Sequence, residues 1–145
     1  MAGPGADSAD DALLARAREA AGHAYAPYSR FRVGAAAQVG GVDGPVVVGC
    51  NVENASYGLS LCAERVALFA AVAAGHGRVG RLAVACVDAG PELGVAGRMP
   101  CGACRQVMAE LMGPDGEVLV DGVGAFRVAD LLPSAFTLSP PDPRQ

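Results

Sequence analysis

Lysine and tryptophan are both absent from the 145 residues, and aromatic side chains make up only 5% of the chain. The basic residues are therefore all arginines, 11 against 15 acidic residues, for a net charge of -4. The missing lysine reads as a compositional bias, since no chemistry requires it. A chain without basic surplus has little with which to neutralise phosphates, which speaks against nonspecific nucleic-acid binding. Long hydrophobic runs are also missing. The apolar stretches are broken by Gly, Pro or charge, so no membrane span is expected. No basic start leads into an apolar run with a cleavage site, so no secretory leader is expected and a reducing cytoplasm is the default compartment. Cysteine is present but odd in number, at five, with several spacings better suited to a metal than to pairing.

What is there suits a compact fold. Apolar residues reach 52%, rich in alanine, and the length fits one domain over 1–145 that can bury a core without disulfides. The ends, 1–7 and 140–145, read as flexible tails. A helix is expected from about Ser8, with Ser8 and Asp11 as a capping box and Leu13, Leu14, Ala17, Ala21 and Ala24 on its apolar face. Arg32 to Val39 and Val46 to Cys50 read as strands of a hairpin across the Gly40–Pro45 turn. Further strands are expected at Leu82–Val87 and Glu117–Val120. A helix capped by Ser60 and running to about Gly75 would pack through Val66, Leu68, Phe69 and Val72. Another, from about Gly102 to Met112, would pack through Val107, Met108 and Leu111. Strand–helix alternation predicts a layered α/β domain.

The chemistry concentrates at two predicted helix starts, Cys62-Ala63-Glu64-Arg65 and Pro100-Cys101-Gly102-Ala103-Cys104. Cys101 and Cys104, three apart, can face one ion, and Cys62 supplies a third sulfur. Catalytic zinc typically takes three protein ligands and leaves a position for water. Neither His23 nor His76 is attached to the cluster, so an open position is expected. Helix N-termini and a donor from Arg65 would temper the negative charge of three thiolates. Glu64, not itself a ligand, can carry protons beside such a metal. A lone C-x-x-C also fits a structural zinc, a redox pair or core thiols; Cys-Ala-Glu followed by Pro-Cys-x-x-Cys narrows this to a deaminase pattern. Cys50 and Cys86 read as core thiols. From its strand position Phe31 fits core packing as well as a binding role, and Asn51, Glu53 and Asn54 fit a turn.

Six segments in order carry a family resemblance: Tyr25-Ala26-Pro27-Tyr28-Ser29, Phe31-Arg32-Val33-Gly34-Ala35-Ala36, Asn51-Val52-Glu53-Asn54-Ala55-Ser56-Tyr57-Gly58, Cys62-Ala63-Glu64-Arg65, Pro100-Cys101-Gly102-Ala103-Cys104-Arg105-Gln106 and Leu131-Leu132-Pro133-Ser134-Ala135-Phe136. From Asp10 to Phe136 the chain resembles the small homotetrameric cytidine deaminases. That resemblance implies a three-layer α/β/α fold with a central mixed sheet of about five strands, and one zinc per subunit on Cys62, Cys101 and Cys104. It makes Glu64 the catalytic residue and Phe31 the ring stacked on the pyrimidine. Asn51 and Glu53 become partners of the ribose 3′-hydroxyl, and the Ala63 backbone a contact of the base. Ala55 and Tyr57 would reach a neighbouring subunit's substrate, and Phe136 would close a pocket in another subunit. The implied substrates are free cytidine and deoxycytidine. Glu64 is expected to move protons from the attacking water to N3 of cytosine and on to the departing amine. The competing readings are a deaminase of another cytosine compound such as blasticidin S, and a zinc-stapled scaffold without turnover.

Overall fold

The computed structural model describes residues 4–138; of the expected tails, 1–7 and 140–145, residues 1–3 and 140–145 lie outside them, while 4–7 belong to the first helix. Helix α1 (Pro4–Ala21) leads into strands β1 (Val33–Val39) and β2 (Val46–Cys50), then helix α2 (Ala63–Ala73) and strand β3 (Val79–Cys86). Helix α3 (Gly102–Leu111), strands β4 (Glu117–Val120) and β5 (Gly124–Arg127), and the short helix α4 (Val128–Leu131) follow. The five strands form one mixed sheet in the order β2-β1-β3-β4-β5. β1 is antiparallel to both β2 and β3, β3 and β4 are parallel, and β5 returns antiparallel to β4.

Side-chain alternation sorts the sheet into two packed faces. Ala35, Ala37, Leu82, Val84, Val118 and Val120 pack with Ala67, Leu68, Ala71, Cys104 and Met108 of α2 and α3. Ala36, Ala83, Ala85 and Leu119 pack against Leu13 and Ala17 of α1. The expected three layers and five strands are thus observed. Burial on both sides explains why β1 reads as nearly continuous small apolar residues rather than a clean alternation.

Two glycines set the layer spacing. A Cβ on Gly34 would lie 1.8 Å from the Ala17 carbonyl oxygen of α1. One on Gly49 would lie 2.4 Å from the Ala67 nitrogen of α2. Backbone therefore rests almost directly on backbone on both faces, which only the missing side chain permits. On the α1 face a buried cation links the layers. Arg81, 7% exposed, pairs with Asp10 of α1, with Glu117 of β4 at 3.1 Å and with Gln38 Oε1 of β1 at 3.1 Å. A buried guanidinium is tolerated because its donors are spent on these partners.

Three local expectations are corrected. α1 begins at Pro4, one turn before Ser8, so Ser8 and Asp11 lie inside it and form no capping box; proline is well suited to a first helical turn. α2 is capped by Cys62, not Ser60, because the Ser60 hydroxyl is taken by the Asn54 backbone N–H at 2.9 Å. Its buried face is Ala63, Glu64, Ala67, Leu68 and Ala71, while Phe69 and Val72 are 43% and 42% exposed. Close approach to Gly49 demands the alanine side and turns Phe69 and Val72 outward, while Leu68 is buried as expected.

The glycine contacts generate a stability prediction. Gly34→Ala and Gly49→Ala should each destabilise by about 3 kcal/mol, the upper range for overpacking. Gly41→Ala, where a Cβ meets nothing within 4 Å, should be close to neutral. Urea unfolding checks this; equal midpoints for all three would show that the helices can lift from the sheet freely.

Candidate metal centre and active site

Because β2 and β3 both run antiparallel to β1, their C-terminal ends share one edge of the sheet. The chain leaves β2 for α2 and β3 for α3, so both helices begin at that edge on the same face. Cys62 is the N-cap of α2 and Cys101 the N-cap of α3. Cys104 lies in the first turn of α3 and is buried. The three expected ligands converge, with Sγ of Cys101 at 3.8 Å from that of Cys62 and 3.5 Å from that of Cys104. All three sulfurs lie within 4.8 Å of one another, and among the described residues no histidine or carboxylate joins them. Zinc–sulfur bonds of about 2.3 Å in a tetrahedron place sulfurs about 3.8 Å apart. The donor set fits one zinc, with one position left over.

The surroundings stabilise thiolate. Arg65 Nη2 donates to Cys62 Sγ at 3.5 Å, as its sequence position suggested, while Arg65 Nε is buried without a hydrogen-bond partner. Hydrogen bonding from Cys104, then from Arg65 and Cys101, brings the Cys62 thiol down to about 5 against the cost of burial. Cys104 is pushed up, chiefly because it donates to Cys62. The close sulfurs and Arg65 together favour a thiolate in the cluster. Burial pushes Cys50 up, and Cys86 to about 11, but both are only half-buried and lie outside the two packed clusters, short of the core position expected of them.

Glu64 follows Ala63, the first residue of α2, and is 5% exposed. Burial, reinforced by the charge on Cys62, raises its carboxyl to about 7. A carboxyl balanced between its two forms near neutrality can both accept and return a proton. Glu53 has the opposite environment. Its carboxylate accepts the N–H groups of Tyr28 at 3.0 Å and Ser29 at 3.1 Å together with the Ser29 hydroxyl, and its pKa is lowered, chiefly by that hydroxyl.

Phe31, Asn51, Glu53, Ala55 and Tyr57 lie on the segments that enter β1 and leave β2, which form a rim along the same sheet edge; Phe136 lies apart from them in sequence, after α4. Asn51 Oδ1 accepts the Val33 N–H at 2.9 Å, and its Nδ2 donates to the Phe31 carbonyl at 2.7 Å. Phe31 is half-buried just before β1. Ala55 and Tyr57 are exposed on a loop closed by bridging of Val52 to Leu61, where Asn54 Oδ1 accepts the Ser56 N–H at 2.8 Å. Tyr28, Ser29, Glu53, Asn54, Tyr57 and Ser60 line an open cleft of about 250 Å³. Phe136 is 68% exposed, and its carbonyl accepts from Gln106 of α3 at 3.1 Å. Ser29, Gln106 and Arg105 were not singled out from sequence. Arg105 donates to the carbonyls of Pro100 and Leu131, fastening the approach to Cys101. Only the place of Ser29 two residues before Phe31 signalled its turn-forming role.

The family model for the cytidine and deoxycytidylate deaminase zinc-binding region matches residues 7–119. The chain belongs to this deaminase family. A cytidine deaminase of Mycobacterium tuberculosis is 53% identical over 127 residues, covering 87% of this chain and 88% of that protein. Another, from Halalkalibacterium halodurans, is 47% identical over 129 residues, covering 86% and 92%. The crystal structure of a cytidine deaminase from Burkholderia pseudomallei superposes with a TM-score of 0.75 at 50% identity, covering 87% of this chain and 98% of that one. Membership of a zinc-binding deaminase family agrees with the three-sulfur centre found in the geometry.

Thiol reactivity in metal-stripped protein follows from this electrostatic arrangement. Cys62 should be alkylated by iodoacetamide as a thiolate at pH 7, losing reactivity only as pH falls through about 5. Cys86 should stay inert until pH approaches about 11. Arg65→Ala should move the Cys62 midpoint upward. Mass spectrometry of the labelled peptides reads all three, and an unshifted midpoint would deny Arg65 its charge-tempering role.

Proposed function

We propose that the protein catalyses zinc-dependent hydrolytic deamination of free cytidine and 2′-deoxycytidine, giving uridine or deoxyuridine and ammonia, as in pyrimidine salvage. The observation that carries the reading is the three-sulfur cluster beside a buried, non-ligating Glu64. Family membership supports it. Zinc on Cys62, Cys101 and Cys104 supplies a Lewis acid able to acidify a water at its remaining position. Glu64 takes a proton from the attacking water and delivers it to N3 of the cytosine ring, which makes C4 electrophilic. The water oxygen, left as hydroxide, bonds to C4. Glu64 then takes the proton remaining on that oxygen and passes it to the amine as the C4–N bond breaks and the C4 carbonyl forms, and ammonia leaves. Arg65 keeps Cys62 charged without neutralising the cluster.

Recognition is assigned to the rim. Phe31 stacks on the pyrimidine, Asn51 and Glu53 hold the ribose 3′-hydroxyl, and the Ala63 backbone contacts the base. Asn51 and Glu53 each retain hydrogen-bonding capacity beyond the bonds they make within the chain. Ala55, Tyr57 and Phe136 act on the sites of neighbouring copies in a homotetramer. Their exposure, and that of Phe69 and Val72 on α2, supports this reading, since large apolar groups in water favour an interface. Among the described residues no helix is long and apolar enough to cross a membrane, and a cytoplasmic location is proposed with the rest.

Loss of the cytosine absorbance band tests the substrate. Cytidine and deoxycytidine should turn over, while cytidine monophosphate, cytosine and blasticidin S should not. Turnover of blasticidin S alone would overturn the nucleoside assignment, and none at all from zinc-loaded protein would favour a scaffold. Glu64→Gln should cut kcat by about 10³-fold or more while one zinc per chain remains by elemental analysis. Light scattering should give four times the mass of the 14.5 kDa chain; a monomer that turns over cytidine at full rate would overturn the shared-site reading.

A further inference from the structure

The loop from residue 88 to 99, between β3 and the first sulfur of α3, has so far no part in the site. Its first residue makes a forked ion pair that also takes in a backbone N–H. Asp88 Oδ2 accepts the backbone N–H of Arg32 at 2.8 Å and the side-chain Nε at 2.9 Å, while Oδ1 accepts Nη2 at 2.8 Å. Just behind it, the Arg32 carbonyl accepts the Val87 N–H at 3.2 Å, the last rung between β1 and β3. Arg32 directly follows Phe31.

The residue before Phe31 is under strain. Arg30 has φ 58°, a left-handed conformation that costs a side chain-bearing residue about 1–2 kcal/mol. Such a conformation persists only where the surroundings over-determine it. On the N-terminal side, Glu53 binds Tyr28 and Ser29, and Ser29 Oγ accepts the Phe31 N–H at 3.0 Å. Asn51 holds the Phe31 carbonyl. On the C-terminal side Asn51 Oδ1 accepts the Val33 N–H at 2.9 Å, and the Arg32–Asp88 fork, backed by the Val87 rung, adds an anchor from the other flank.

We propose that Arg32 and Asp88 form a positioning clamp that holds the Phe31 ring in its place on the pyrimidine and ties that segment to the loop leading into the sulfur cluster. The inference rests on the cytidine reading above. The loop is itself closed: Arg98 Nη2 donates to the Gly90 carbonyl at 2.7 Å and the Ala89 carbonyl at 3.5 Å. It then runs directly into Pro100 and Cys101. The pair is half in solvent, with side-chain exposures of 50% and 27%, so its contribution to global stability is small. Its effect is geometric: removing it frees the ring to sample orientations that do not bind. Asp88 is held at about 2 by the guanidinium, so the clamp stays charged at every pH at which the enzyme would work.

The test uses full-length, zinc-loaded protein and four variants: Arg32→Ala, Arg32→Lys, Asp88→Asn and the double substitution of Arg32→Ala with Asp88→Asn. Arg32→Ala and Asp88→Asn should each raise KM for cytidine and the Kd for uridine about five- to ten-fold, the effect of one lost ordering interaction. The kcat should stay within about two-fold and the unfolding midpoint within about 2 °C. The double variant should be no worse than either single one, and Arg32→Lys should recover part of the loss. Unchanged KM and Kd, additive losses, or losses that follow a fall in stability would each overturn the clamp. Absence of cytidine turnover by the parent chain would overturn the cytidine reading, whereas a turning-over parent with unaltered variants overturns the clamp alone.

Discussion

The structure depends on one topological constraint: β2 and β3 point the same way. Since β1 lies between them and antiparallel to both, every chain segment leaving β2 or β3 emerges at the same edge. Two helices starting there on one face must bring their N-termini together. A residue capping each helix then meets its counterpart without any long side chain. Cysteine, with a reach of two bonds, suffices. The layer spacing serves the same end, because Gly49 lets α2 sit low on the sheet, and a helix held higher would carry Cys62 away from Cys101.

Electrostatics follow from that convergence. Unpaired N–H groups of two first turns surround the sulfurs, a setting that favours negative charge. Arg65 adds a single donor at 3.5 Å. Glu64 sits on the same first turn but is buried, so the field that favours thiolate coexists with a carboxyl raised to about 7. Glu53, on the rim, is lowered by the N–H and hydroxyl groups it accepts. Two carboxylates in opposite environments suit opposite tasks, one for exchanging protons and one for holding a fixed charge.

The residues proposed to carry the chemistry are legible in the sequence because they are short-range signals. Cys101 and Cys104 announce themselves by spacing, and Cys62-Ala63-Glu64 by its place at a helix start. The strands at Val46–Cys50 and Glu117–Val120 were equally plain, being apolar runs between turn residues. The short strand Gly124–Arg127 was not located individually, since its four residues carry almost no apolar pattern. Nor could the sequence link Arg32 to Asp88, 56 residues away, or Arg81 to Asp10. Such pairs are set by the register of β1 and β3 and the seat of α1, not by local composition. Ser60 misled for a related reason: a good helix-capping residue was drawn instead into the Asn54 loop.

The misjudged face of α2 is the most instructive departure. By hydrophobicity alone, Phe69 and Val72 belong in the core and Ala67 and Ala71 are indifferent. Packing reverses the order. Opposite Gly49 the two backbones are too close for any side chain beyond a methyl group, so the alanine stripe faces the sheet and buries fully. Phe69 and Val72 are then left partly outside by geometry, while Leu68 stays buried beside the stripe. An isolated subunit gains nothing from that arrangement, since a polar surface there would serve solubility better. Large apolar groups on the outer face of the very helix that carries Cys62 and Glu64 make sense if another copy covers them. Assembly and catalysis would then share one helix, its inner face fixing the sulfurs and its outer face meeting the neighbour.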